Sequence, residues 1–345
     1  MTERKRILSG VQPSGKLHIG NYFGAIKQHI ALQEENECFY FIADYHALTT
    51  LLDIPAVKEN IRKPAEVLRE NSFDVAVDYL ALGLDPHKAV FFRQSDVPEV
   101  TELAWIFSTC VNMGLFTRAH SYKDKVDKGI EPSVGLFTYP ALMAADILIY
   151  RSHVVPVGKD QVQHLEMTQD IAGKFNFNYC TSRGREEVFP IPDWKLDTVP
   201  KVPGTDGQKM SKSYGNTIEI FAEGKPLKKT VMAIETDSKA MGDPLDPDTC
   251  NVFALYKLFA TEEELTELAE QYRTGATGYG NAKKLLLGKI EEFFAPAREK
   301  RKELLQSPDT VEDVLREGAK KAREEAQTTM ELVRDAVGMP KRPVV

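Results

Sequence analysis

A doubly wound parallel α/β sheet followed by an α-helical C-terminal region is predicted by three features of the sequence. Short, largely apolar runs recur at Ile7 to Val11, Cys38 to Ala43, Ala89 to Phe92 and Val154 to Val157. Helical periodicity follows each of them, and from Lys225 onward only helical periodicity remains. Apolar runs this short are what strands buried on both faces look like, and strict alternation with helices makes the sheet parallel and Rossmann-like. At 345 residues the chain is also long for a single core, which favours two domains or one domain with a large helical extension.

The first unit sets the pattern. Ile7 to Val11 feeds a tight turn with Gly10, Pro13 and Gly15, and Leu17 to Ile30 reads as a helix. A strand, a glycine turn and a helix N-terminus can hold phosphate, because the first helix amides lack internal partners and carry the positive dipole end. His18 and Asn21 add polar side chains there. Taken alone, the stretch is equally an ordinary strand-turn-helix. The second strand ends at Asp44, and helices are expected over Ile54 to Glu70 and Ser72 to Leu82. The third ends at Arg93 and Gln94 and leads to a helix from Glu99 to Met113, with Glu99 and Glu102 near its N-terminus. Ligands of such sheets lie beyond the carboxyl ends of the strands, which makes Asp44, His46, Arg93 and Gln94 pocket candidates. For Arg93 a solvated loop position is the simpler reading.

Gly135 to Tyr150 is an apolar helix whose one charge is Asp146, a turn after Met143 on the same face. A lone buried carboxylate needs a donor, either a ligand N–H or a salt bridge or cap within the core. Val154 to Val157 places Gly158, Asp160 and Gln161 at its carboxyl end, where a helix to Phe175 begins. Asp160 is equally a helix N-cap, and His164 and Glu166 read as a polar face. From Asn176 to Gln208 the helical pattern gives way to an irregular connection rich in proline and glycine. It ends in Lys209-Met210-Ser211-Lys212-Ser213, a mobile cationic arm able to close on a polyphosphate. Helices then follow over Lys225 to Thr236, Asn251 to Ala260, Thr261 to Tyr272 and Asn281 to Gln306. The last, Thr310 to Val337, is opened by Asp309 as N-cap with Glu312 completing a capping box.

Composition narrows the function classes. With 42% apolar and 28% charged residues and no apolar run of about 18, the sequence is globular with no transmembrane helix. Met1 to Lys5 does not open a signal-peptide core, so a cytoplasmic protein with no membrane partner is expected. Cys38, Cys110, Cys180 and Cys250 lie far apart with no C-x-x-C pair, so neither a metal knuckle nor a disulfide framework is indicated. A net charge of −7 disfavours nucleic-acid binding by bulk charge and leaves it to local basic patches. The densest in the helical part is Arg298, Lys300, Arg301 and Lys302, read either as an RNA phosphate contact or as the solvated face of a long helix.

His18-Ile19-Gly20-Asn21 resembles the H-I-G-H element of class I aminoacyl-tRNA synthetases, and Lys209 to Ser213 is the full K-M-S-K-S element of that class. Two elements in the right order are far more specific than either one. Within the class, G-V-Q-P-S-G-K-L-H-I-G-N-Y-F-G-A-I, A-D-Y-H-A-L-T, Y-P-A-L-M-A-A-D-I-L and V-P-V-G-K-D-Q-V-Q-H resemble the bacterial tryptophanyl-tRNA synthetases and together cover the catalytic half. Asn21 in place of the second histidine is similar to that family and departs from the class at large. The C-terminal third carries no matching motif.

The resemblance implies a two-step ligase reaction. The tryptophan carboxylate attacks the α-phosphate of ATP, pyrophosphate leaves with Mg²⁺, and the aminoacyl group passes to the terminal adenosine of tRNA(Trp). Positioning and charge stabilisation carry such chemistry. By the same resemblance, Gln12, Pro13, Ser14, Gly20 and Asn21 line the ATP phosphates, with His18 donating to them. Gly158, Lys159 and Asp160 hold the ribose and adenine side, with Val202 against the base. Lys209 and Lys212 clamp the leaving pyrophosphate, and Met210, Ser211 and Ser213 belong to the same loop, the serines holding it. Asp146 accepts the indole N–H, Met143 packs on the ring, and Tyr139 and Gln161 bind the α-amino group. Lys125 falls where the family keeps a basic residue near the nucleotide. No protein metal site is implied.

The chain divides on this reading into a nucleotide- and tryptophan-binding domain over 1–200, the mobile loop and connection over 201–224, and an anticodon-binding helical domain over 225–308. A last helix over 309–337 packs back on the catalytic domain, and a homodimer is expected. The rival readings are a tyrosyl-tRNA synthetase, argued against by Asn21 and the Met143-to-Asp146 segment, and a small-molecule adenylyltransferase, disfavoured by the K-M-S-K-S loop. A synthetase-like protein that senses tryptophan without activating it is disfavoured by the intact lysines.

Overall fold

Five parallel strands form one sheet in the order β3-β2-β1-β4-β5. They are β1 (Arg6–Val11), β2 (Glu37–Ile42), β3 (Ala89–Arg93), β4 (Val154–Val157) and β5 (Asp193–Leu196). This computed structural model describes residues 4–340 except 128, 130, 159–160, 197–200 and 241. Successive side chains alternate between two cores. Ile7, Cys38, Tyr40, Ile42 and Phe91 face helix Pro64–Ala81 and the C-terminal helices. Leu8, Phe39, Phe41 and Phe92 face helices Glu99–Cys110, Val134–Ile149 and Val162–Tyr179. Burial of both faces is why these strands read as nearly continuous apolar runs.

The chain lays down β1, β2 and β3 toward one edge, then returns to place β4 on the other side of β1. The strand order therefore reverses between β1 and β4, and the crevice beyond the carboxyl ends at such a reversal is where open sheets bind ligands.

The predicted strands lie where expected, with shifts at their ends only, and β5 is an addition. Asp193–Leu196 sits at the free edge of the sheet inside the stretch read as irregular, and its four-residue D-W-K-L sequence carries no apolar run. The helices after β2 are also different. A helix occupies Asp44–Leu51, a short one Pro55–Lys58, and a single helix then runs Pro64–Ala81 straight through Ser72. Pro64 explains the new start, since proline is accommodated in the first helical turn. Helix Val162–Tyr179 runs on past Phe175.

The last helix, Pro308–Val337, starts after Ser307, and its expected capping box is absent. Glu312 instead pairs with Arg93 at the end of β3, so Arg93 is a tether and not a solvated loop residue. The helix lies along β3 with Gly318 against it. A Cβ at Gly318 would meet the Phe91 carbonyl oxygen at 1.9 Å, contact with backbone that cannot rotate away. Ala319, Ala322 and Ala326 continue the close approach, and the outer edge of β3 is thereby covered. Gly318→Ala is expected to destabilise the protein by about 1–3 kcal/mol or more through overpacking. A thermal melt checks this, and an unchanged midpoint would show that the helix lifts freely.

Within the basic cluster Arg298 and Arg301 turn inward, whereas Lys300 and Lys302 stay exposed on the solvated face of the long helix. Arg298 is 4% exposed and its Nε donates to the Ile220 carbonyl at 3.0 Å. Arg301 reaches Asp78 at 2.6 Å and Asp74 at 3.0 Å on helix Pro64–Ala81. Lys302 pairs with Glu223 and Glu299, and Lys300 with Glu303. Burial of Asp78 raises its carboxyl to about 6 despite the pull of Arg301. Arg301 thus ties helix Tyr279–Gln306 to helix Pro64–Ala81 of the sheet domain. Tyr22 against Phe294 and Phe23 against Phe259, both at 5.2 Å between centroids, join the first helical turns to the same surface.

Candidate active site

The crevice between β1 and β4 is a cleft of about 520 Å³. Gln12, Asn21 and Gly158 line it together with Tyr139, Met143, Asp146 and Gln161, so candidates from distant parts of the sequence share one cavity. Lys159 and Asp160 lie outside the described residues.

At the mouth, β1 ends in the turn Gln12 to Leu17, closed by the Ser14 amide on the Gln12 carbonyl at 2.8 Å. The helix that follows is composite: Ile19–Asn21, a π-helical turn Tyr22–Ile26, then Lys27–Leu32. Asn21 Oδ1 accepts from the His18 amide at 3.0 Å, which fixes the entry of the chain into the helix. The first amides are not vacant as expected. Ile19 donates to the Ile218 carbonyl at 2.9 Å, Asn21 to the His18 carbonyl at 2.8 Å, and Gly20 to the Met210 sulfur at 3.3 Å. Only the Gly20 bond is to a weak acceptor. At this helix end side chains are therefore the main donors left for an anion. Among the described residues His18 Nδ1 is buried without a partner. Burial and the nearby Lys212 charge hold the His18 imidazole down at about 4, so it is neutral at physiological pH and keeps one N–H to donate.

The lysine loop folds onto this turn. Pro203 and Lys209 form an antiparallel bridge, and the Met210 amide donates to the Val202 carbonyl at 2.9 Å. Val202 and Met210 are both buried in the core. A 3-10 turn, Lys212–Tyr214, follows, and the Ser211 and Ser213 hydroxyls bond each other at 2.8 Å. Lys212 Nζ donates to the Gly15 carbonyl at 2.9 Å and to the Ser14 carbonyl and hydroxyl at 3.3 Å. Desolvation lowers its ammonium to about 8, while Asp78 and Glu219 pull the other way. Lys209 stays exposed. Pro13, Ser14, Gly20, Val202 and residues 209–213 sit around the mouth and not in the cleft wall.

Asp146 closes the inner end. It is 3% exposed, and His46 Nε2 lies 2.8 Å from Oδ2. Gln94 Nε2 spans the two carboxylate oxygens at 2.8 and 2.9 Å. Burial pushes the Asp146 carboxyl up, and the His46 and Gln94 bonds pull it down. Gln94 Oε1 in turn accepts from the Tyr45 amide at 3.1 Å. Asp44 is spent on structure, accepting the Tyr45 and Ser95 amides at 3.0 Å and the Ser95 hydroxyl. The Tyr139 hydroxyl pairs with His164, so His164 is a partner within the site and not a surface polar face. Lys125 pairs with Asp53 at 2.9 Å. Gly10, expected in the turn, lies in β1 and lines the cleft with Ser9, and sequence reasoning missed Asn216, which organises the lysine loop. Only the Y-G-N spacing after the lysines hints at the last.

A family model described as tRNA synthetases class I (W and Y) matches residues 1–295. The chain is 54% identical over 335 residues to the tryptophan–tRNA ligase of Rhodopirellula baltica, covering 97% of this chain and 99% of that one. It is 53% identical over 336 residues to the tryptophan–tRNA ligase of Fusobacterium nucleatum, covering 97% and 98%. Its fold superposes with a TM-score of 0.88 on the crystal structure of the Campylobacter jejuni tryptophanyl-tRNA synthetase complexed with ADP and tryptophan. The identity is 48%, with 97% of this chain and 100% of that chain covered.

Proposed function

The chain belongs to the class I tRNA synthetases of the tryptophan and tyrosine family, as a tryptophan–tRNA ligase, and we propose how its residues divide the reaction. It activates tryptophan with ATP and charges tRNA. The cleft with Asp146 at its closed end and Lys212 at its mouth carries the assignment. The indole enters against Met143 with its N–H on Asp146, where His46 and Gln94 hold the carboxylate in place. Tyr139 and Gln161 take the α-amino group, leaving the carboxylate toward the mouth. Gln12, Ser14, Gly20, Asn21 and neutral His18 receive the triphosphate, Gly158 the ribose side, and Val202 the base. Lys209 and Lys212 stabilise the charge that grows on pyrophosphate as it leaves, a contact made most strongly in the transition state.

MgATP is the substrate on this reading. Mg²⁺ comes with the phosphates, its usual habit. Among the described residues no helix is long and apolar enough to cross a membrane. The cytoplasm, where tRNA is charged for protein synthesis, is the compartment we assign. Helices over 225–308 take the anticodon side of tRNA(Trp). ATP–pyrophosphate exchange with each amino acid tests the activity: exchange driven by tyrosine instead of tryptophan would sink it.

We propose a homodimer whose interface uses Trp105, Met113 and Val134. These large apolar side chains are exposed on neighbouring helices Glu99–Cys110, Met113–Phe116 and Val134–Ile149. Sedimentation is expected to show a dimer that Trp105→Glu dissociates, and a monomeric wild type would overturn it.

A further inference from the structure

We infer that Asn216 is a positioning residue for adenylate formation, fixing the backbone of the lysine loop and so the reach of Lys212 to the phosphate turn. The inference rests on the reading of Lys212 as the phosphate clamp. Asn216 is 2% exposed, and a buried amide needs partners at both of its ends. Its Nδ2 donates to Asp206 Oδ1 at 2.7 Å and to the Lys209 carbonyl at 3.1 Å. Its Oδ1 accepts the Ser211 amide at 2.8 Å, and its own carbonyl accepts the Thr205 amide at 3.0 Å.

One side chain thus grips the loop on both sides of Met210. Met210 is itself held by the Val202 carbonyl and lends its sulfur to the Gly20 amide. The next residue after the gripped Ser211 is Lys212, whose ammonium reaches Ser14 and Gly15. Asp206 is oriented in turn by the Gln208 amide at 3.0 Å. The place is reserved for this amide: a Cβ on Gly204 would lie 2.3 Å from Asn216 Cγ and Nδ2. A glycine-flanked loop with an exposed surface would otherwise sample many positions, and a lysine spread over them stabilises transition-state charge poorly. Asn216 is not among the residues that line the cleft, and its effect passes through the backbone it holds.

Tryptophan-dependent ATP–pyrophosphate exchange tests this on four variants. Asn216→Ala is expected to lower kcat about tenfold, since a sub-ångström shift costs less than the ~10²-fold of a full ångström, with the KM for tryptophan unchanged. Gly204→Ala should reproduce that split, because its methyl expels the amide without altering its chemistry. Asn216→Asp keeps an acceptor for the Ser211 amide but sets a carboxylate oxygen against Asp206 and the Lys209 carbonyl, and it should lower kcat as well. A wild-type kcat in Asn216→Ala overturns the inference. So does a loss that follows only the folded fraction in a thermal melt. If Asn216→Ala does not fold, Gly204→Ala and Asn216→Asp carry the same test. Lys212→Ala is the reference: no loss there sinks the clamp reading, whereas loss there with none in the Asn216 and Gly204 variants sinks this inference alone.

Discussion

Lys212→Ala slows tryptophan-dependent pyrophosphate exchange on the order of 10²- to 10³-fold in kcat, with tryptophan affinity little changed, because the lost contact is made chiefly in the transition state. The structure supplies the reason for choosing this lysine. Its Nζ rests on the carbonyls of Ser14 and Gly15 at the mouth of the cleft, where the proposed reading puts the ATP phosphates. The same desolvation gives the site a pH dependence. The Lys212 ammonium sits at about 8, below its ordinary value of 10.5, so the charge is lost earlier than usual as pH rises. An incoming triphosphate favours the charged form, and ATP binding above about pH 8 must therefore take up a proton. The KM for ATP is expected to rise with pH through that region, and Lys212→Arg should flatten the rise, since arginine stays charged. An exchange rate untouched by Lys212→Ala would remove the clamp from the mechanism.

What the sequence could reveal depended on whether a residue's role is local. Strands buried on both faces write themselves as apolar runs, and β1 to β4 were legible for that reason. The edge strand β5 was not, because its four residues pair on one side only and carry no run. Capping is local too, yet Glu312 misled: its offset from Asp309 fits a capping box, while its true partner is Arg93, far away in sequence. The same blindness applied to Arg298 and Arg301, whose charge suggested a surface and whose partners, the Ile220 carbonyl and Asp74 and Asp78, lie on other elements. In the site, the two motifs marked the mouth of the cleft. Periodicity could not say that the helix amides behind His18 are already engaged by Ile218 and Met210. That follows from how the loop after the lysines returns to the turn.

Asp146 is where the alternatives left open by the sequence can be separated. A ligand N–H or an internal donor can satisfy a buried carboxylate, and the structure provides internal donors in His46 and Gln94. These occupy three of about four lone-pair sites on the two oxygens, which leaves room for one more donor from the cleft. Asp146→Ala is expected to cut kcat/KM for tryptophan on the order of 10²- to 10³-fold while leaving the KM for ATP nearly unchanged, because a site built to bond a substrate N–H loses both the bond and its geometry. Alanine also orphans His46 and Gln94, so a fall in stability will accompany it and Asp146→Asn is the cleaner partner variant. The decisive measurement is a cycle with a tryptophan analogue methylated on the ring nitrogen. Wild type should discriminate strongly against the analogue and Asp146→Asn weakly, the difference being the coupling between that carboxylate and the indole N–H. Equal discrimination by both enzymes, or equal loss of tryptophan and ATP binding, would make Asp146 a structural member of the His46 and Gln94 network and move substrate recognition to Met143 and the rest of the cleft.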